Sequence, residues 1–141
     1  MVPEANSDSD PAERVRLFVY GTLRTPVGGP PADTFYHSEI AAHIFDSEPG
    51  VLAGATLYDC GAFPALGPGD STVTGEILTI GAAGLVAADA IEDHPDYYER
   101  RTETIERSDG SFVDAWAYWA PKSLIERSDL IPSGDWFDRE R

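Results

Sequence analysis

A chain of 141 residues with 25 acidic and 10 basic side chains carries a formal net charge of −15, which disfavours nucleic acid and anionic membranes as partners. Cys60 is the single cysteine, so an internal disulfide and a paired-cysteine metal site are both excluded. The sequence shows no apolar run of about 18 residues and no signal-peptide pattern, which makes a cytoplasmic location the default expectation.

The acidic excess also predicts the salt conditions under which the protein works. Lys122 is the only lysine, so the other nine cations are arginines. A surface this negative repels itself, and at about 1 M salt the Debye length of roughly 3 Å screens most of that repulsion. The composition therefore favours a halophilic protein, adapted to a very salty cytoplasm, over an ordinary acidic one.

The first predicted elements are a tail and a strand. Residues 1–13 are polar, acidic and proline-containing, which predicts a disordered tail before a single domain over 14–141. Val15, Leu17 and Val19 alternate with Arg16, Phe18 and Tyr20, as in a strand with one face in the core.

Further along the chain, apolar periodicity and Gly/Pro-rich stretches predict a mixture of strands and short helices. The sequence predicts a loop at 25–32, helical structure over at least part of 33–46, strands at 51–58 and 71–80 separated by a loop at 59–70, a helix at 82–93, a hairpin of strands 100–107 and 112–120, and a helical turn at 123–126. About five strands with few helices and no repeating βαβ pattern indicate the α+β class.

The turn that follows the first strand is a candidate anion site. Gly21 allows the chain to turn sharply directly after Tyr20. Unpaired backbone amides after such a turn form a concavity that suits a carboxylate or a phosphate, and the rest of the sequence favours a carboxylate.

Glu92 is the candidate acid/base. On an ideal helix it lies at the edge of the apolar side that includes Ala88 and Ile91, whereas Asp89 and Asp93 lie further round, toward solvent. Burial at that edge would raise the pKa of Glu92 above its usual value of about 4.3, and the charge of Asp89 would raise it further. A carboxyl tuned in this way suits general acid/base catalysis near neutral pH.

The heptapeptide from Phe18 to Arg24 resembles the signature of the γ-glutamylcyclotransferase-like superfamily, in particular its AIG2-like and γ-glutamylamine cyclotransferase branch. Further motifs occur in the family's order. They are Leu57-Tyr58-Asp59, Phe63-Pro64-Ala65-Leu66, Val73-Thr74-Gly75-Glu76, Asp89 with Glu92, Tyr98-Glu99-Arg100-Arg101, Asp109-Gly110, Ala115-Trp116-Ala117-Tyr118-Trp119 and Ile131-Pro132-Ser133-Gly134-Asp135-Trp136.

The resemblance implies a fold and a reaction. The fold is a small mixed β-barrel with a few packed helices. The reaction is intramolecular aminolysis of a γ-glutamyl amide or dipeptide, which releases 5-oxoproline and needs no metal and no organic cofactor. The family's catalytic glutamate falls on Glu92, as general acid/base.

The resemblance also implies a binding site for the substrate's α-carboxylate in the turn of Tyr20, Gly21, Thr22 and Leu23. Tyr98 would line the same pocket. For Tyr20 and Tyr98 an equally good interpretation is a buried barrel tyrosine whose hydroxyl bonds backbone.

Three other residues invite a functional interpretation, and each has a simpler one. Glu76 is the second carboxylate expected to be buried and so competes with Glu92 for the catalytic role. The preferred interpretation is that Glu76 forms an ion pair with an arginine such as Arg100. His94 is expected to be solvated rather than catalytic. Cys60 has no adjacent base, so it is assigned no nucleophilic role.

Two alternatives to the cyclotransferase stay open, because a fold does not determine a function. One is a non-catalytic or weakly catalytic small-molecule binding module that keeps the pocket. The other is cyclisation or transfer on a different acyl amide. The sequence does not predict the leaving group or the oligomeric state.

Overall fold

The structure is a computed structural model that describes residues 14–20, 43–60, 64–92, 94 and 96–135. The tail at 1–13, the loop at 25–32 and the turn residues Gly21, Thr22 and Leu23 lie outside the described residues. The predictions made for them stay predictions.

The described residues form six strands and two helices. They are β1 (Arg14–Val19), β2 (Ile44–Asp59), β3 (Pro64–Gly81), α1 (Ala82–Glu92), β4 (Glu99–Arg107), β5 (Phe112–Trp119), α2 (Lys122–Ile125) and β6 (Asp129–Leu130). The predicted strand at 71–80, the helix at 82–93, the hairpin and the short helix near 123–126 are confirmed, with bounds that shift by a few residues.

Five strands close into a barrel in the order β3-β1-β5-β4-β2, because β2 also pairs with β3. β6 adds to the outer edge of β2. Every pairing is antiparallel except that of β1 with β5, which is parallel with Leu17 opposite Trp116. The α+β class and the mixed barrel are therefore confirmed.

Both faces of β1 are buried, which corrects the expectation of a single core face. Phe18 and Tyr20 belong to a cluster that draws on the inner faces of all five barrel strands, while Leu17 and Val19 belong to a second cluster that includes Ala88 of α1. The second face is buried because α1 packs on the outside of the barrel at β1 and β3. Alternation along the strand predicts two faces but not what covers each of them.

Two segments predicted as helix or loop belong to strands. β2 begins at Ile44, inside the predicted helical segment, and β3 begins at Pro64, inside the predicted loop. The prolines of β3 occupy positions that tolerate them, because Pro64 is the first residue of the strand and Pro68 pairs with Ala55 beside a bulge in β2. Gly69 is required for close approach, since a Cβ at this position would collide with the hydroxyl oxygen of Thr56.

The β4–β5 hairpin closes with a glycine in the left-handed region. Gly110 has a φ of 89°, a conformation that L side chains rarely adopt. The carboxylate of Asp109 accepts hydrogen bonds from the backbone N–H and the hydroxyl of Ser111, which hold the pKa of Asp109 below its usual value. The hairpin fixes the register that places Arg100 opposite Tyr118.

Candidate active site

Glu92 is the last residue of α1, and the helix presents the apolar side that the sequence predicts. Ala88 is fully buried, and Leu85 and Ile91 are partly buried against the outer cluster. Just beyond the helix, the backbone N–H of Tyr98 donates to the carbonyl of Glu92 at 3.3 Å. The chain after α1 is thereby tied back to the residue that carries the candidate carboxyl.

Burial raises the pKa of Glu92 to about 7, well above that of a free glutamate. Removal from water disfavours the charged form, so the carboxyl holds its proton to a higher pH. A group with this pKa has both protonation states available near neutral pH, as proton transfer in both directions requires. The direction and the main cause agree with the expectation from the sequence.

The role expected of Asp89 is wrong in two respects. Its side chain is only 22% exposed and does not point freely to solvent. Both carboxylate oxygens bind the guanidinium of Arg100, with Nε–Oδ1 at 2.9 Å and Nη2–Oδ2 at 3.2 Å. The hydroxyl of Tyr118 also donates to Oδ1 at 2.6 Å. This bidentate pairing compensates the charge of Asp89, so burial alone accounts for the raised pKa of Glu92.

Arg100 connects α1 to the barrel wall. Its guanidinium lies over the ring of Trp116, with Cζ 4.2 Å from the ring centroid. Because Arg100 is paired with Asp89, the suggestion that it pairs with Glu76 is wrong. Glu76 is half-buried and shares the outer face of β3 with Leu78, as expected.

His94 belongs to the same network and is not simply solvated, which corrects the expectation. Its Nδ1 accepts a hydrogen bond from the backbone N–H of Arg100 at 3.0 Å, and its ring meets the ring of Tyr118 edge-on at 6.4 Å. The backbone N–H of His94 donates to the carbonyl of Asp89 at 3.0 Å. These contacts of His94 fix the turn after α1. The position of His94 two residues after Glu92 in the sequence does not reveal this role.

Two buried tyrosines lie beside Glu92, and their hydroxyls bond backbone. Tyr20 donates to the carbonyl of Tyr118 at 2.6 Å, and Tyr98 donates to the carbonyl of Pro64 at 2.9 Å. Burial raises the pKa of both phenols, and the negative charge of Glu92 raises both further. Each hydroxyl keeps a lone pair free to accept, so a contact with substrate stays a prediction for both.

Trp119 is named in the sequence analysis only within a motif and is given no place in the site, yet it lies at the same end of the barrel as Tyr20. β1 and β5 run parallel, with Leu17 opposite Trp116. Three residues further along, Tyr20 directly follows β1 and Trp119 ends β5, and both side chains belong to the inner cluster. The indole Nε1 is buried and has no hydrogen-bond partner among the described residues. An unpaired buried donor of this kind is unusual, and sequence patterns carry no signal for it.

Within the described part of the chain, no group of three or more His, Cys, Asp or Glu side chains is placed to hold a metal ion. None of the described helices is long and apolar enough to cross a bilayer. Independence from cofactors stays a prediction of the sequence analysis.

The model of the family described as gamma-glutamyl cyclotransferase, AIG2-like, matches residues 17–138. The chain belongs to this family. A Vibrio cholerae protein provisionally named a gamma-glutamylcyclotransferase is 37% identical over 124 residues, which cover 87% of this chain and 96% of the relative. The Escherichia coli K12 gamma-glutamylcyclotransferase family protein YtfP is 32% identical over 127 residues, 90% of this chain and 100% of the relative.

Solved structures of gamma-glutamyl cyclotransferase and AIG2-like proteins share the fold. The crystal structure of a mouse AIG2-like protein superimposes with a TM-score of 0.63 at 23% identity, covering 79% of this chain and 82% of that one. A structure named gamma-glutamyl cyclotransferase gives a TM-score of 0.61 at 15% identity, covering 84% and 70%. At these identities the likeness concerns the fold alone.

Proposed function

We propose that this member of the gamma-glutamyl cyclotransferase, AIG2-like family releases 5-oxoproline from a γ-glutamyl amide or dipeptide, with Glu92 as general acid/base. The observation that carries the proposal is the state of one carboxyl. Glu92 is held at the end of α1 with a pKa of about 7, beside the buried hydroxyls of Tyr20 and Tyr98. Names of relatives at 32% and 37% identity point to the same activity.

The reaction is an acyl transfer within one substrate. The neutral α-amino nitrogen attacks the γ-carbonyl carbon, forming the lactam C–N bond, and the bond from that carbon to the leaving nitrogen breaks. One proton passes from the attacking nitrogen to Glu92 and from Glu92 to the leaving nitrogen, so the carboxylate is regenerated. Proton transfer by a positioned group accelerates such reactions by about 10²–10⁴-fold.

The turn of Gly21, Thr22 and Leu23 would bind the substrate's α-carboxylate through backbone amides. These residues directly follow Tyr20 in the sequence, and the Tyr20 hydroxyl is fixed to the carbonyl of Tyr118. Binding there would hold the flexible glutamyl chain in a folded shape that brings the amine to the carbonyl. Pre-organisation of this type contributes much of the rate of an intramolecular reaction.

The proposal is tested by measuring 5-oxoproline release from a panel of γ-glutamyl dipeptides and γ-glutamylamines in molar KCl. Glu92→Gln keeps the side-chain shape and removes proton transfer, so we expect it to lower kcat by about 10²-fold or more. Glu106→Gln removes a glutamate from an exposed position on β4 and serves as the matched control.

Three results would contradict parts of the proposal. Release that survives Glu92→Gln would mean that another carboxyl does the chemistry. Tight binding of 5-oxoproline or glutamate without turnover by folded protein would favour the binding module. Turnover only of other acyl amides would favour the third alternative.

A further inference from the structure

A groove on the surface of the described residues lies beside the candidate active site and has no role in the proposed proton transfer. It has a volume of about 380 Å³ and runs between the end of β2 and the segment around α2. Its lining comprises Asp59, Cys60, Tyr97, Leu124, Arg127 and Ser128. A groove of this size holds a small organic group.

The groove adjoins the residues around Glu92 through two of its lining residues. Tyr97 directly precedes Tyr98, whose backbone N–H donates to the carbonyl of Glu92 at 3.3 Å. Cys60 lies near enough to Tyr20 and Tyr98 that its ionised form would raise the pKa of both phenols, as the charge of Glu92 also does. A substrate cleaved near Glu92 can therefore extend into this groove.

Cys60 and Ser128 form one wall of the groove. Their polar side chains already have hydrogen-bond partners within the protein. The sulfur of Cys60 lies 3.0 Å from the hydroxyl oxygen of Ser128, which in turn donates to the carbonyl of Leu124 at 2.7 Å. Burial raises the pKa of the Cys60 thiol, so the wall is neutral at physiological pH. Charge in the groove comes from Asp59 and Arg127, both of which act electrostatically on Cys60.

Arg127 is the one cation in the described lining of the groove, in a chain whose net charge is −15, whereas Arg14 and Arg16, which also lack an ion pair among the described residues, lie on β1. Four other cations of the described residues have carboxylate partners. These pairs are Arg100–Asp89, Arg101–Glu99, Arg107–Glu48 and Lys122–Glu126. In the part of the chain that the structure describes, Arg127 forms no such pair, although it borders a groove large enough for a ligand.

We propose that this groove binds the leaving group of the γ-glutamyl substrate and that Arg127 selects leaving groups that carry a carboxylate, that is, amino acids rather than simple amines. The inference rests on the proposed function. A guanidinium binds a carboxylate through charge-assisted and often bidentate hydrogen bonds. Asp59 adds a negative charge to the lining, so a second carboxylate on the leaving residue is disfavoured. The ring of Tyr97, 40% exposed, offers apolar surface to its side chain.

The test compares two substrates that differ only in the selected group, γ-glutamyl-alanine and γ-glutamyl-alaninamide, by kcat/KM for 5-oxoproline release. We expect the wild-type protein to prefer the carboxylate about tenfold, the effect of one charge-assisted contact. Arg127→Gln should reduce the ratio to about one, chiefly by lowering kcat/KM for the substrate that carries the carboxylate. The matched control is Lys122→Gln, which removes a charge five positions away on α2, outside the groove lining.

The measurements are made in molar KCl, where long-range attraction is screened and a direct contact persists. Equal use of both substrates by the wild-type protein would overturn the inference and leave the proposed function intact. The inference would also be overturned if the Arg127→Gln variant kept the preference for the carboxylate, or if Lys122→Gln reduced that preference as much as Arg127→Gln does. Absence of turnover of either substrate, and of every member of the wider γ-glutamyl panel, would overturn the proposed function and the inference together.

Discussion

Replacing Glu92 with glutamine should make the stability of the fold respond differently to pH, whether or not the protein is an enzyme. The pKa of this carboxyl is about 7 in the fold, against 4.5 for a free glutamate. Below about pH 4.5 the group is protonated in both the folded and the unfolded state, so it contributes no pH dependence. Between about pH 4.5 and 7 the unfolded chain loses this proton while the folded chain retains it, so stability falls as pH rises.

The size of the effect follows from the two pKa values. Their difference of about 2.5 corresponds to roughly 3 kcal/mol in the free energy of unfolding, reached above pH 7. Glutamine carries no proton to lose, so Glu92→Gln should gain that amount relative to the wild-type protein between about pH 4.5 and 8. For a domain of this size, the gain amounts to a rise in Tm of roughly 10 °C.

The assay is urea unfolding of both proteins in molar KCl at a series of pH values, with the difference in unfolding free energy plotted against pH. Glu106→Gln serves as the control, because its exposed side chain is hydrated in both states and its curve should parallel that of the wild-type protein. If the Glu92→Gln curve also stays parallel to the wild-type curve, the carboxyl is not desolvated in the fold and the argument for its role in proton transfer fails.

Four further predictions follow from the same contacts. If Glu92 accepts the first proton, kcat/KM should rise with pH through an apparent pKa of about 7, and a profile that is flat between about pH 6 and 8 would exclude this. Asp89→Asn should lower the free energy of unfolding by about 1–3 kcal/mol, because it removes the charge that pairs with the half-buried guanidinium of Arg100; an unchanged urea midpoint would show that the pair contributes nothing. Trp119→Phe should lower the free energy of unfolding by less than the roughly 3–5 kcal/mol typical of truncating a buried aromatic side chain to alanine, because it keeps one ring and removes a donor that has no partner among the described residues; a loss in that full range would contradict this. The Tm should increase from low salt to molar KCl, because screening relieves the repulsion of 25 acidic side chains, and a Tm that does not rise would contradict salt adaptation.

Alternation and helical periodicity were sufficient to predict most of the elements. They gave β1, the β4–β5 hairpin and the apolar side of α1, because those segments are regular over their whole length. They failed at the start of β3, where Pro64 and Pro68 favour a loop by composition. Those prolines are tolerated only because they fall at the strand start and beside a bulge of β2, which depends on the pairing partner.

The candidate site was also predictable only in part, because helical periodicity describes one element and not what packs against it. A helical wheel places Glu92 at the edge of the apolar side, and burial there gives the expected direction of its pKa. The same wheel assigns Asp89 to solvent, because it contains no information on what packs against that side. Arg100 and Tyr118 come from strands that are distant in sequence, and only the closed barrel brings them to Asp89.

The position of β1 in the barrel has a consequence for the order in which the protein assembles during synthesis. β1 starts at Arg14, yet its neighbours are β3 and β5, and Tyr20 is tied to the carbonyl of Tyr118 across 98 positions of sequence. Among the described strands, β1 is synthesised before the others, so it must wait for β5 before the barrel can close. Contacts this distant in sequence slow folding, and the waiting intermediate exposes strand edges to neighbouring chains. At low salt the net charge of −15 would keep such intermediates apart, whereas molar salt screens that repulsion, so the acidic residues would protect the nascent barrel only in dilute solution.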